Sequence, residues 1–263
     1  MKKTFLITLV VLITSVCFGQ SNGALKFLGI PIDGTETQFA TKLKSKGFTY
    51  NSLYESYKGQ FNGKPVDVYI HTNHNLVDRV YVAFPATSEE SIRIEYNRLL
   101  NQFKKNSKYL DLGFNEEIPE DDDISYEISV KNKRYQASFS YFDPDRDPVP
   151  FMNELLDKLS DFFTKEQLAT LKEYVEKAIS VPEDQREAMQ EQMLSDIQSM
   201  GLGQTENSEF DSERQIRFLA TFMDGMRELA DGDVWFMIHE HYGRYQIGLY
   251  YDNLHNQANG EDL

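Results

Sequence analysis

The stretch FNGKPVDVYIHTNHNLVDRVYVAF, residues 61–84, limits the fold more than any other part of the chain. Asn62-Gly63 is a strong hairpin signal, because a type I′ turn needs positive φ at both central positions, which asparagine and glycine tolerate. After it, Val66, Val68 and Ile70 alternate with Asp67, Tyr69 and His71, and Val80, Val82 and Phe84 alternate with Arg79 and Tyr81. That is the period of strands with two different faces. Strands joined by tight turns are antiparallel, whereas a parallel pair needs a crossover, usually a helix, between its members. The chain therefore starts from an antiparallel sheet.

Two further segments carry the same signature. In ISYEISVKNKRYQASFSYF, residues 124–142, Ile124, Tyr126, Ile128 and Val130 predict one strand, Tyr135, Ala137, Phe139 and Tyr141 its partner, and Asn132-Lys133 the turn. In DVWFMIHEHYGRYQIGLYYDN, residues 233–253, Val234, Phe236 and Ile238 alternate with Trp235, Met237 and His239. The expected architecture is α+β, an antiparallel sheet of about seven strands. The turns FNGKPV, VKNKRY and HYGRYQ look alike, but turns often do, and they establish no internal repeat.

Helical spacing fills the intervals. Thr35 and Gln38 have capping-box spacing ahead of Phe39 and Leu43, and Gly47 marks the stop. Thr87 and Glu90 repeat the box before Ile92, Tyr96, Leu99 and Phe103. From Phe151 to Ala230 the period is wholly helical. Its stripes are Leu155, Leu159 and Phe162; Leu168, Leu171 and Val175 behind a third box at Thr164 and Gln167; Met189, Met193, Ile197 and Met200; and Leu219, Phe222, Met226 and Leu229. The resulting division is 20–147 as an α+β part, 148–230 as a helical block, and 231–263 as a hairpin returning to the sheet. Sequence leaves open whether the block packs on the sheet or stands as an insertion before the last hairpin.

The amino end reads as an export signal. Lys2 and Lys3 precede the apolar run FLITLVVLITSVCFG, with small residues at Cys17 and Gly19, so residues 1–19 are expected to be removed by a cut after Gly19. Lipid attachment at Cys17 is the lesser alternative, since Val16 is larger than the residue usual before an acylated cysteine. The run is too short and too abruptly polar afterwards for an anchor, which leaves no transmembrane segment in the mature chain. Cys17 is the single cysteine, so the mature chain holds its fold without disulfides. Removing two lysines moves the formal charge from −15 (27 minus 42) to −17 (25 minus 42), a field that excludes nucleic acid as a partner and repels anionic lipid surfaces.

Signals of chemistry are sparse. DPDRDPVPFMNE sets Asp143, Asp145, Asp147 and Glu154 at positions one, three, five and twelve of a calcium-loop frame, but Pro148 stands where that loop needs glycine. Pro144, Pro148 and Pro150 push their predecessors toward extended backbone, so the segment is expected to be a stiff spacer leading from a strand ending at Phe142 to a helix near Phe151. EEIPEDDD, residues 116–123, reads as a solvated acidic loop. His71 with His74, and His239 with His241, are turn-adjacent pairs better read as surface residues than as zinc ligands. No nucleophile elbow, phosphate cradle or HExxH motif appears. Met189, Met193, Met200, Met223 and Met226 suggest a core stripe before a partner groove, and Tyr242, Tyr245, Tyr250 and Tyr251 suggest burial before a platform. No residue is assigned a catalytic, cofactor or metal role.

In FLGIPIDGT, VWFMIHEHYGRYQIGLYYDN and the closing ANGEDL the chain resembles a group of uncharacterised exported proteins of Gram-negative bacteria. The resemblance implies an envelope location, in the periplasm or at the cell surface, and no known activity. Helices with antiparallel strands are also similar to small periplasmic inhibitor and assembly-factor domains, by fold-level analogy alone. The leading expectation is a non-enzymatic binding or interaction protein of the bacterial envelope, with an unknown protein or polysaccharide partner. The second is a carboxylate-dependent hydrolase acting on envelope or dietary polymer, whose acids are hidden among the 42 acidic residues.

Overall fold

The computed structural model describes residues 24–143, 146–181, 185–199 and 208–258. The segment 1–19 with Cys17 and Gly19, together with Pro144, Asp145, Met200 and residues 201–207, lies outside them. The chain divides into two compact units, Gly23–Asp143 with Ala230–Leu263, and one containing Pro144–Leu229.

The first unit is α+β. A small hairpin, β1 (Lys26–Phe27) and β2 (Ile30–Pro31), precedes helix α1 (Glu36–Ser45). Strands β3 (Thr49–Asn51), β4 (Ser56–Phe61), β5 (Lys64–Asn73) and β6 (Leu76–Ala83) lead to helix α2 (Glu89–Lys104). Then come β7 (Tyr109–Leu110), a short helix α3 (Ile124–Ser129), β8 (Gln136–Tyr141) and, after the helical unit, β9 (Gly232–His241) and β10 (Arg244–Asn253). The eight strands β3 to β10 form one antiparallel sheet in the order β3-β4-β5-β6-β10-β9-β8-β7. Asn62-Gly63, His74-Asn75 and Tyr242-Gly243 all take positive φ, as two-residue hairpin turns require.

Period-two alternation sends one set of side chains into a single core. Val66, Val68, Val80, Val82, Phe139, Val234, Phe236 and Leu249 meet Phe39 and Leu43 of α1 and Ile92, Tyr96, Leu99 and Phe103 of α2. Tyr96 meets Phe236 edge-on at 5.1 Å, and Phe103 stacks on Phe139 at 5.2 Å. Each aromatic or aliphatic side chain so buried contributes about 1.5–3 kcal/mol. The Thr35–Gln38 capping box forms as expected.

Two expectations need correction. Residues 124–129 are a helix and not a strand, so Asn132-Lys133 turns no hairpin. The Asp123 carboxylate accepts the Tyr126 N–H at 2.8 Å, and Glu89 accepts the Ile124 N–H at 2.8 Å, which together start a helical turn. Only Ile124 of the apolar series is buried, while Tyr126 and Val130 are exposed. The second cap belongs to Ser88 and not Thr87, because Thr87 is held extended by reciprocal backbone bonds to Tyr245. The acidic loop is exposed, as expected, in all its carboxylates but the half-buried Asp122, and its backbone is tied down: Asn97 exchanges two hydrogen bonds with Ile118, and Arg93 donates to the Glu120 and Asp122 carbonyls. Asp122 also accepts from Lys133, which holds its carboxyl below the usual range.

In the second unit, α4 (Pro148–Lys158), a 3-10 turn (Ser160–Phe162), α5 (Lys165–Ser180), α6 (Arg186–Ser199) and α7 (Ser208–Leu229) follow in order. Leu155, Leu159, Phe162, Leu171, Val175 and Met193 are buried, and the Thr164–Gln167 box forms. Leu168 and Met189 are half-buried. In α7 the exposed Leu219 gives way to Phe218, whose ring meets Phe162 edge-on at 5.1 Å and stacks on Phe222 at 6.2 Å. In chain order this unit is an insertion between β8 and β9, which are hydrogen-bonded neighbours in the sheet.

Candidate binding face

The face of the sheet opposite the core carries an aromatic row. Register places Tyr69 of β5 opposite Tyr81 of β6, Tyr81 opposite Tyr250 of β10, and Tyr250 opposite Trp235 of β9. The rings stack in that sequence: Tyr69 on Tyr81 at 5.4 Å, Tyr81 on Tyr250 at 4.7 Å, and Tyr250 on Trp235 at 3.8 Å with 7° between planes. All four are half-buried. Beyond Trp235 the next strand presents Ser138, which is exposed, so the row ends there.

A buried carboxylate organises the row. Asp252 accepts from Arg79 through Nε at 2.5 Å and Nη2 at 2.8 Å, and from the Trp235 indole Nε1 at 2.9 Å. The guanidinium carbon also lies 5.7 Å from the Tyr250 ring and 5.9 Å from the Trp235 ring. The bond to Asp252 raises the Arg79 pKa further, so its charge is permanent. Burial pushes the Tyr81 phenol up to about 12, with Tyr250 and Tyr69 adding to it, and burial raises Tyr250 as well. These phenols stay protonated as hydrogen-bond donors at neutral pH. His239 Nε2 lies 3.1 Å from the Tyr250 hydroxyl. Gly248 makes the close fit possible, since a Cβ there would stand 2.8 Å from His239 Nε2 and 2.9 Å from Tyr81 Cε2.

The residues singled out by sequence fall in different places. Tyr250 joins the row, Tyr245 and Tyr251 are buried in the core, and Tyr242 is fully exposed at a turn. His71 pairs with the buried Asp78 at 2.7 Å, while His74 sits in the β5–β6 turn. Asp147 caps α4, accepting the Val149 N–H at 3.0 Å, and Pro148 is the first helical residue. The part of the expected spacer from 148 to 150 is therefore corrected: Pro148 and Pro150 lie in the first turn of a helix, because its first N–H groups have no internal acceptor and proline lacks one, while Pro144 lies outside the described residues. Positions six to twelve of the calcium frame, ending at the exposed Glu154, lie on that helix instead of a loop. Among the described residues no group of three or more His, Cys, Asp and Glu is placed to hold a metal ion.

The buried acids have structural partners. Asp231 accepts the Asp143 N–H at 2.7 Å and meets His255 Nε2 at 2.8 Å, and Asp233 accepts from the Ser140 hydroxyl at 3.3 Å. Sequence reasoning missed Tyr69, Tyr81, Trp235 and Arg79 as one constellation. Each stood on the outward parity of its strand, but their adjacency depends on β6 pairing with β10 across more than 150 residues of chain, for which the sequence holds no local signal. No protein-family model, no curated protein and no solved structure matches the chain.

Proposed function

We propose that this chain is an exported, non-enzymatic interaction protein of the bacterial envelope that engages a protein partner through the outward face of its sheet. The export part rests on Lys2 and Lys3 followed by the apolar run 5–19. The carrying observation for the binding part is the row Tyr69, Tyr81, Tyr250 and Trp235 with Arg79 beside it on a half-exposed sheet face. Trp, Tyr and Arg are the residue types that carry most of the energy in protein interfaces. A polysaccharide is recognised by sugar rings lying on aromatic faces, but here the ring faces are largely occupied by one another. What the row offers is a rigid ledge of ring edges and phenol hydroxyls. That suits a flat polypeptide surface. The hydrolase reading names no carboxylates, and the four buried ones, Asp78, Asp231, Asp233 and Asp252, are engaged in holding neighbours, which gives that alternative no support.

The test is capture from envelope extract with the parent chain and with Tyr69→Ser, followed by titration of the purified partner against both. Tyr69 ends the row away from Asp252, so the change leaves the Arg79 network in place. Loss of about tenfold or more in affinity is expected. A partner held equally by both proteins contradicts the assignment of this face.

A further inference from the structure

The β3–β4 edge of the sheet has a charge opposite in sign to the chain as a whole. The full sequence carries −15, yet from residue 42 to residue 58 four lysines, Lys42, Lys44, Lys46 and Lys58, stand against one acid, Glu55, and counting Asp67, the register partner of Lys58, and Glu36, whose charge acts on Tyr57, still leaves 4 minus 3, or +1. All four lysines are exposed, and among the described residues none is held in an ion pair, whereas the neighbouring Lys64 is matched by Glu95. Lys46 and Lys58 lie close together, with Lys42 and Lys44 on either side of the buried Leu43 in the last turn of α1. Thr49 is the register partner of Lys58, and Lys46 lies three residues before Thr49, a reach of about 10 Å.

The same edge ends in an apolar tip. The Asn51 side chain accepts the Leu53 N–H at 3.1 Å and Glu55 takes φ 50°, which turns the connection sharply. Leu53 is left 77% exposed, Tyr54 59% and Tyr50 46%. The Lys58 ammonium stands 5.5 Å over the Tyr54 ring, and Tyr50 and Tyr57 are in ring contact at 5.1 Å. Exposed Leu and Tyr beside lysines have the composition of an interfacial anchor: aromatic rings rest at headgroup level, an aliphatic chain goes deeper, and ammonium groups reach the phosphates.

We propose that the β3–β4 tip is a docking point for an anionic lipid bilayer, with Leu53 and Tyr54 entering the headgroup boundary and Lys42, Lys44, Lys46 and Lys58 facing lipid phosphate. One aliphatic side chain and a few lysines give weak, reversible, salt-sensitive attachment. The net acidity of the chain as a whole disfavours approach to a negative surface by its acidic faces and so favours contact through this edge. The inference does not involve the aromatic row and does not depend on it.

The test is co-sedimentation of the chain lacking residues 1–19 with vesicles of phosphatidylcholine and phosphatidylglycerol in equal parts, and with vesicles of phosphatidylcholine alone. Binding to the mixed vesicles, weakened by added salt, is expected. Each of Lys42→Gln, Lys44→Gln and Lys46→Gln should lower the partition constant about fivefold. Leu53→Ser with Tyr54→Ser should lower it further while the thermal transition stays put, because both side chains are exposed. Absence of binding to the mixed vesicles, or equal binding by parent and variants, overturns the proposal. So does a lipid-free dimer that Leu53→Ser with Tyr54→Ser converts to monomer without any vesicle binding, because the tip would then be a contact between copies.

Discussion

The two units differ in what stabilises each of them. Every buried polar residue among those described, Ser56, Asp78, Asn115, Ser140, Asp231, Asp233, Asp252 and Asn253, belongs to the sheet unit. The described core of the helical unit is mainly apolar, built from leucines, methionines, Val175 and phenylalanine rings, with the buried Tyr174 donating its hydroxyl to Asp196. Apolar packing is tolerant of rearrangement, whereas a buried carboxylate with three donors accepts one geometry. The lesson is that the sheet unit is built for precision on its outward face, and the helical unit is built for bulk stability.

The strongest way to break this comparison is to open the helical core. Leu171 is fully buried on α5, so Leu171→Ala should cost about 2–5 kcal/mol, read from the transition in far-ultraviolet circular dichroism. Trp235 is the single tryptophan and lies in the sheet unit, so its fluorescence follows that unit alone. A loss of the size of a surface change, about 0.5 kcal/mol, would mean the stripe is not core. An equal fall in the fluorescence transition would show that the two units share their stability.

Asp252→Ala sharpens the comparison from the other side. It strips an acceptor from both Arg79 and the Trp235 indole. Breaking a fully buried pair costs about 3–5 kcal/mol, but the Arg79 side chain is 39% exposed and regains water, so about 2–3 kcal/mol is expected. The fluorescence transition should move, and the Trp235 emission of the folded protein should shift as the stack with Tyr250 loosens. Unchanged emission would mean that register alone holds the row.

Sequence made the faces legible but not their neighbours. Alternation in β5, β6 and β9 assigned each residue to the inner or outer side, because a strand has only two sides and a one-residue error reverses both, whereas reading the tyrosines of β10 as one group overlooks that Tyr250 and Tyr251 face opposite ways. A helix stripe is more forgiving, which is why Leu219 was chosen where Phe218, one residue earlier and larger, is the buried one. The segment 124–130 misled because a short apolar alternation fits a capped helical turn as well as a strand, and the deciding Glu89 lies 35 residues away. The aromatic row was hidden for a related reason. Its members are spread from Tyr69 to Tyr250, and only the central placement of β6 against β10 collects them.

The smallest expected effect concerns protons on the precise face. Burial, with His241 adding like charge, lowers the His239 pKa from its ordinary 6.5. A histidine that resists protonation when folded binds fewer protons than the unfolded chain in the window between its lowered pKa and 6.5. Stability contributed there is complete above 6.5 and is lost as pH falls toward the folded value. The melting temperature of the sheet unit, followed by Trp235 fluorescence, should therefore drop as pH is taken from about 7 to about 5. His239→Asn, which keeps a polar group beside the Tyr250 hydroxyl without the titration, should show a shallower drop over the same range. The helical unit, whose described residues include no histidine, supplies the internal reference in circular dichroism. Equal slopes for parent and variant would place the proton uptake at groups other than His239.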